Sequence, residues 1–115
     1  VNNGVQCNYF DCGRAHYFEA VFGEKIDWLT MDIVLAHVGL DFKEPILYGE
    51  NLVCETRIVE LGNASIKMIQ QLRNADTNRV KTICSSVLVS FDRETGISRP
   101  INPLYRERIV AFEEL

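Results

Sequence analysis

The residues best suited to chemistry lie in the first 23, VNNGVQCNYFDCGRAHYFEAVFG. Asn2 and Asn3 are helix-capping types, because an asparagine oxygen accepts a bond from a backbone N–H that has no partner in the first turn. A helix opened there leaves the backbone amides of Asn3 and Gly4 free at its positive end, where they can hold an oxyanion. Asp11, two turns further on, is a carboxylate that can activate water or attack directly, or can serve only as a structural partner of Arg14 at i+3. Cys12 and His16 have the i, i+4 spacing of a thiolate dyad, but nothing orients the imidazole and buried cysteine is common in cores. Two histidines, His16 and His37, in different segments and cysteines at 7, 12, 54 and 84 give no metal-ligand spacing, so no metal is expected and His37 reads as a satisfied structural residue. Ser65, Lys67 and Arg73, with Arg57 one segment earlier, can contact a phosphate-bearing ligand or form an ordinary solvated strand face.

These groups need elements to position them. Residues 1–23 read as one long helix. At 100° per residue Val5, Tyr9, Gly13, Tyr17 and Ala20 fall within a third of a turn, opposite Asn8, Asp11, Arg14 and Glu19. Phe18 and Phe22 intrude on the polar side, so the helix is expected to be enclosed. Gly13 in its middle implies close contact with another backbone, and Gly23 is a stop signal. Trp28 is expected to pack against this helix or against a second subunit.

From residue 32 the apolar period becomes two. Strands are expected over 32–42, with Val34, Ala36, Val38, Leu40 and Phe42 inward, and over 51–61, with Leu52, Cys54 and Ile58 inward. The next is expected over 64–74, with Ile66, Met68 and Leu72 inward, and the last over 80–92, with Ile83, Val87, Val89 and Phe91 inward. Gly62-Asn63 and residues 76–79 supply tight turns. Four strands in succession suggest an antiparallel meander, and the first helix is the only long apolar element available to cover its apolar face. Leu104 to Phe112 is expected to form a short amphipathic helix after Pro100 and Pro103. The fold class is therefore α+β, a single domain over residues 1–115, with a central helix wrapped by a curved antiparallel sheet.

Composition narrows the function. The chain is 47% hydrophobic and 24% charged, as for a soluble globular protein. A net charge of -4 with 12 basic residues gives no electrostatic case for nucleic acid. The most apolar run is interrupted by Asp32 and His37, so no membrane span is expected. Four cysteines without CxxC spacing, and no visible signal peptide, point to reduced thiols and a cytoplasmic protein.

The order of elements and five phrases within it resemble the hotdog-fold acyl-CoA thioesterases of the 4-hydroxybenzoyl-CoA thioesterase type. The phrases are Val1-Asn2-Asn3, then Tyr9-Phe10-Asp11 with Arg14, Tyr48-Gly49-Glu50, Leu61-Gly62-Asn63-Ala64-Ser65-Ile66, and Leu88-Val89 followed by Asp92, Thr95 and Gly96. The resemblance implies hydrolysis of an acyl-CoA or acyl-carrier-protein thioester without metal or redox cofactor, in a homodimer or homotetramer whose acyl pocket forms between subunits. It places the oxyanion site at Asn3 and Gly4. Arg57, Ser65 and Lys67 are then candidates for contact with the phosphate-bearing arm of the substrate, and Tyr9, with Tyr17, Phe18 and Trp28, either lines an aromatic pocket or belongs to the ordinary core. The family's edge strand and usual catalytic aspartate correspond to positions before Val1, so the carboxylate is expected there, or at Asp11. A non-catalytic hotdog module that binds acyl-CoA or mediates dimerisation is the alternative. A hotdog dehydratase fits less well, since its helix carries a histidine-led signature not found in this sequence.

Overall fold

A computed structural model describes residues 3–23 and 32–115, with Asn3 through its backbone alone. The capping role of Asn2 and the packing of Trp28 fall outside the described residues. Helix α1 runs Asn3–Phe22 and ends at Gly23, whose φ of 74° suits glycine. Four strands follow: β1 (Ile33–Phe42), β2 (Leu52–Leu61), β3 (Ser65–Asn74) and β4 (Val80–Ser90). Helix α2 (Pro103–Glu113) closes the chain. Asn102 caps α2 by accepting a bond from the Leu104 amide at 2.9 Å, and Pro103 occupies a first-turn position that needs no N–H.

All strand pairs are antiparallel and the sheet order is β1-β4-β3-β2. The meander therefore holds for β2, β3 and β4, while β1 joins the far side of β4 instead of pairing with β2. Short turns fix the hairpins. The Gly62 amide donates to the Ser65 carbonyl at 2.8 Å, and the Asn74 side-chain oxygen accepts from the amides of Asp76 and Thr77 at 2.8 and 3.0 Å. After β4, the Asp92 side chain accepts from the Glu94 amide at 2.8 Å, building the turn that Asp92, Thr95 and Gly96 announce.

The core lies between α1 and the sheet. Phe18, at 0% exposure, packs with Tyr17 and Phe22 against Ile58, Ile66, Met68, Leu88, Ile101 and Ile109. Burying a side chain of that size contributes about 1.5–3 kcal/mol. A second cluster joins Phe10 to Ile46, Leu72 and Cys84.

Three expected faces are corrected. On α1 the buried seam is Gln6, Phe10, Arg14, Phe18 and Phe22, a spacing of four, whereas Val5 and Tyr9 are exposed by 36% and 38%. Arg14 turns inward because β3 offers a buried acceptor, described below. In β1 a bulge between Leu35 and His37 shifts the alternation. By strand pairing Val38, Leu40 and Phe42 do face the helix side, but Val34 and His37 point away from it, and His37 is exposed. In β4 the inward set is Thr82, Cys84, Ser86, Leu88 and Ser90, not Ile83, Val87, Val89 and Phe91. Leu88 lies opposite Ile66, which fixes that face.

The 43–51 connection is locked by Glu50. Its carboxylate accepts from the Leu47 amide at 2.6 Å and from Asn74 Nδ2 at 2.8 Å, and pairs with Lys81 Nζ at 2.9 Å. The Leu47 amide first, then Lys81 and Asn74, pull its pKa down to about 2. The folded state binds this proton less readily than the unfolded chain, so the stabilisation is fully present above about pH 4.5 and is lost as pH falls through about 2. Glu50→Gln is expected to lower Tm at pH 7, with the gap from wild type closing as pH approaches 2. A gap that stays constant across the acid range in thermal melts would contradict this role.

Candidate functional site

Gly4, near the start of α1, is exposed, and the first amides of a helix have no intrahelical partner. Asp11 lies seven residues on, which returns it to within about 20° of Gly4 around the axis and about 10 Å along it. The helix start and the carboxylate therefore share one face. The Asp11 side chain is 64% exposed and ion-paired with Arg14 Nη2.

Arg14 is only 5% exposed, and its other amino group donates from Nη1 to Gln70 Oε1 at 2.9 Å. Gln70, at 0% exposure on the inward face of β3, donates from Nε2 to the Phe10 carbonyl at 3.0 Å and to Thr56 Oγ1 at 3.1 Å. Gly13 lets the helix approach this closely. A Cβ there would stand 2.7 Å from Cys54 Sγ, 2.8 Å from Gln70 Nε2 and 3.2 Å from Thr56 Oγ1.

Two hollows flank α1. One, of about 410 Å³, is lined by Asp11 and Arg14 together with Ile33, Val34, Leu35 and Leu88, so a carboxylate and a guanidinium border an apolar wall. The other, of about 740 Å³, runs between α1 and β2 and is lined by Tyr9, Cys12, His16, Tyr17 and Cys54 among others. Tyr9 thus faces a different hollow from Asp11. Burial raises the pKa of both the Cys54 and Cys84 thiols, which suits packing rather than nucleophilic attack. The Tyr17 hydroxyl donates to Glu113 Oε2 at 2.6 Å, and the same oxygen accepts from the Ile58 amide at 2.8 Å, pinning the end of α2 to β2. Burial, then the Glu113 carboxylate, raises the Tyr17 pKa and keeps the phenol protonated.

The candidates Arg57, Ser65 and Lys67 alternate with the inward residues Ile58, Ile66 and Met68 and so occupy the outer face of the sheet. The Ser65 hydroxyl folds back over Gly62, where any Cβ would collide with it. Within one chain the structure brings Gly4, Asp11 and Arg14 to one side of α1 and leaves Tyr9, Arg57, Ser65 and Lys67 elsewhere. Sequence reasoning passed over Gln70. The signal was present, since Gln70 interrupts the inward series Ile66, Met68, Leu72 at period two, and a lone amide in such a series needs buried partners. Among the described residues no three His, Cys, Asp or Glu side chains converge to hold a metal, and no helix is long and apolar enough to cross a membrane.

Solved structures similar to this chain include thioesterases. A thioesterase from Thermus thermophilus, solved with coenzyme A and zinc, is 31% identical with a TM-score of 0.85. That match covers 100% of this chain and 82% of the other. Two more distant likenesses show the fold. A DHNA-CoA thioesterase from Staphylococcus aureus has a TM-score of 0.83 at 16% identity, covering 100% of this chain and 80% of that one. A thioesterase superfamily protein from Jannaschia sp. CCS1 has a TM-score of 0.80 at 22% identity, covering 100% and 73%. No curated protein matches the sequence. The family model of the thioesterase superfamily matches residues 1–81. With the central helix and the antiparallel sheet in place, the chain belongs to the thioesterase superfamily.

Proposed function

We propose that this protein hydrolyses acyl-CoA thioesters, with the backbone amides of Asn3 and Gly4 polarising the carbonyl and a carboxylate acting as general base, either one preceding Val1 or, within the described residues, Asp11. The observation that carries the reading is the shared helix face of Gly4 and Asp11. Their separation of about 10 Å leaves room for one water between the carboxylate and a carbonyl carbon whose oxygen rests on the helix start. Asp11 accepts a proton from that water as its oxygen bonds to the carbonyl carbon. The oxyanion formed is held by the amides and the helix dipole. Collapse breaks the C–S bond, the thiolate leaves and takes up a proton, and the carboxylic acid product ionises.

Coenzyme A as the thiol is supported by the Thermus relative solved with it. Assignment to the 4-hydroxybenzoyl-CoA type rests on the five phrases of the sequence, and a cytoplasmic site of action on its cysteine pattern. Arg57, Ser65 and Lys67 are assigned to the phosphate-bearing arm. They lie across the sheet from Asp11, so they serve the site only from a second copy, which makes a homodimer or homotetramer part of the proposal. The edge strand β1 offers such a contact, with Val34, Leu35, Val38 and Phe42 exposed by 41–49%.

The test is thiol release from short, long and aromatic acyl-CoA substrates together with the mass in solution. Turnover by a dimer or larger species is the expected result. A monomer at micromolar concentration would remove the role of the outer face. One observation favours the alternative of a non-catalytic acyl-CoA-binding module: Asp11 is already tied to Arg14. Binding of acyl-CoA without thiol release would establish that alternative.

A further inference from the structure

We propose that Gln70 is a positioning residue for the Asp11 carboxylate, acting through the guanidinium of Arg14. The inference rests on the reading of Asp11 as the general base. Three residues form a continuous path from the closed core to an open hollow: Gln70 at 0% exposure, Arg14 at 5%, and the Asp11 side chain at 64%.

Packing alone does not call for an amide at position 70. Its neighbours on the same face, Met68 and Leu72, are apolar, and an apolar residue there would avoid the cost of desolvating a polar group. The amide's orientation is set by its partners. Its NH₂ group is committed to the Phe10 carbonyl and Thr56 Oγ1, so the oxygen is turned to Arg14. A guanidinium is a planar fork with donors in fixed directions. Anchoring Nη1 on Gln70 therefore fixes the plane in which Nη2 meets the Asp11 carboxylate. Cys54 and Thr56 crowd Gln70 from β2 and Gly13 seats the helix directly above it, so the anchor has no slack. Gln70 does not line the hollow beside Asp11, so it reaches the carboxylate only through Arg14.

The test is a double-mutant cycle of Gln70→Met with Asp11→Asn, read as kcat and KM for the best substrate of the acyl-CoA panel. Loss of orientation by Gln70→Met is expected to lower kcat about tenfold with KM changed less than about twofold. In the Asp11→Asn background the same substitution should cost nothing further, because no base remains to be aimed. An equal fractional loss in both backgrounds, or an effect on KM alone, overturns the positioning role while leaving Asp11 as the base. Wild-type turnover by Asp11→Asn, or no turnover by the wild-type chain, overturns the reading of Asp11 and this proposal with it. Should Gln70→Met lose cooperative thermal unfolding, Thr56→Val removes one anchor of the amide and retains the residue itself. It is expected to lower kcat about two- to threefold, again only when Asp11 is present. No loss in that variant, or the same loss without Asp11, overturns the proposal.

Discussion

Asp11→Asn is expected to lower kcat for thioester hydrolysis by about 10² with little change in KM or Tm, the scale of a lost general base. The carboxamide matches the carboxylate in size and keeps an oxygen for Arg14 Nη2, so the clamp on the helix survives. What it lacks is basicity. Asp11 is the outermost member of its path, so little packing is disturbed, and Arg14 retains its bond to Gln70. Catalysis and stability should therefore separate cleanly. Single-substrate kinetics beside a thermal melt provide the check. If kcat and Tm fell together, Asp11 would be a structural partner of Arg14 and the base would lie elsewhere.

The parts of the fold that could be read from the sequence are those fixed by local chemistry. Gly23, Gly62-Asn63, Asp92 to Gly96 and Asn102-Pro103 each announce a stop, turn or cap through backbone constraints that act within a few residues. β2 and β3 alternate between apolar and polar, so their inward faces follow directly. β4 misleads because both of its faces carry apolar residues. The buried one mixes Cys84 and Leu88 with Thr82, Ser86 and Ser90, while the more exposed one holds Ile83, Val87 and Val89. Only pairing with β3 and contact with α1 decide between them, and both are long-range facts. The β1 bulge and the placement of β1 beside β4 have the same character.

The candidate site divides in the same way. Its helix start and Asp11 are local features of one segment, and a helix beginning at Asn3 with a carboxylate two turns later shows in the sequence. The inward turn of Arg14 was hidden because its acceptor, Gln70, lies 56 residues away on β3. A helix with aromatics nearly all round gives no strong periodic cue to its buried side. A buried polar partner then chooses the side, since an arginine left unpaired in the core would cost more than exposing Val5 and Tyr9.

Gly13→Ala sets two effects of opposite sign against each other, and the structure decides which is larger. Alanine in a helix interior gains about 1 kcal/mol over glycine. Against that, its Cβ would meet Cys54 Sγ at 2.7 Å and Gln70 Nε2 at 2.8 Å, distances that require movement. Gln70 cannot swing aside without releasing the Phe10 carbonyl or Thr56, and each buried group left unpaired costs about 1–3 kcal/mol. Overpacking adds about 1–3 kcal/mol. The net expectation is a loss of about 2–4 kcal/mol, a Tm drop of roughly 10 °C for a domain of this size. Cys54→Ala in the same chain removes the nearest obstacle and should restore part of the loss. If Gly13→Ala instead raised Tm, helix propensity would outweigh the contact, and α1 would not be seated on Gln70 as closely as this geometry requires. A loss repaired by Cys54→Ala would tie the stability of the helix to the same amide that anchors Arg14, so one buried residue on β3 would support both the packing of α1 and the aim of its carboxylate.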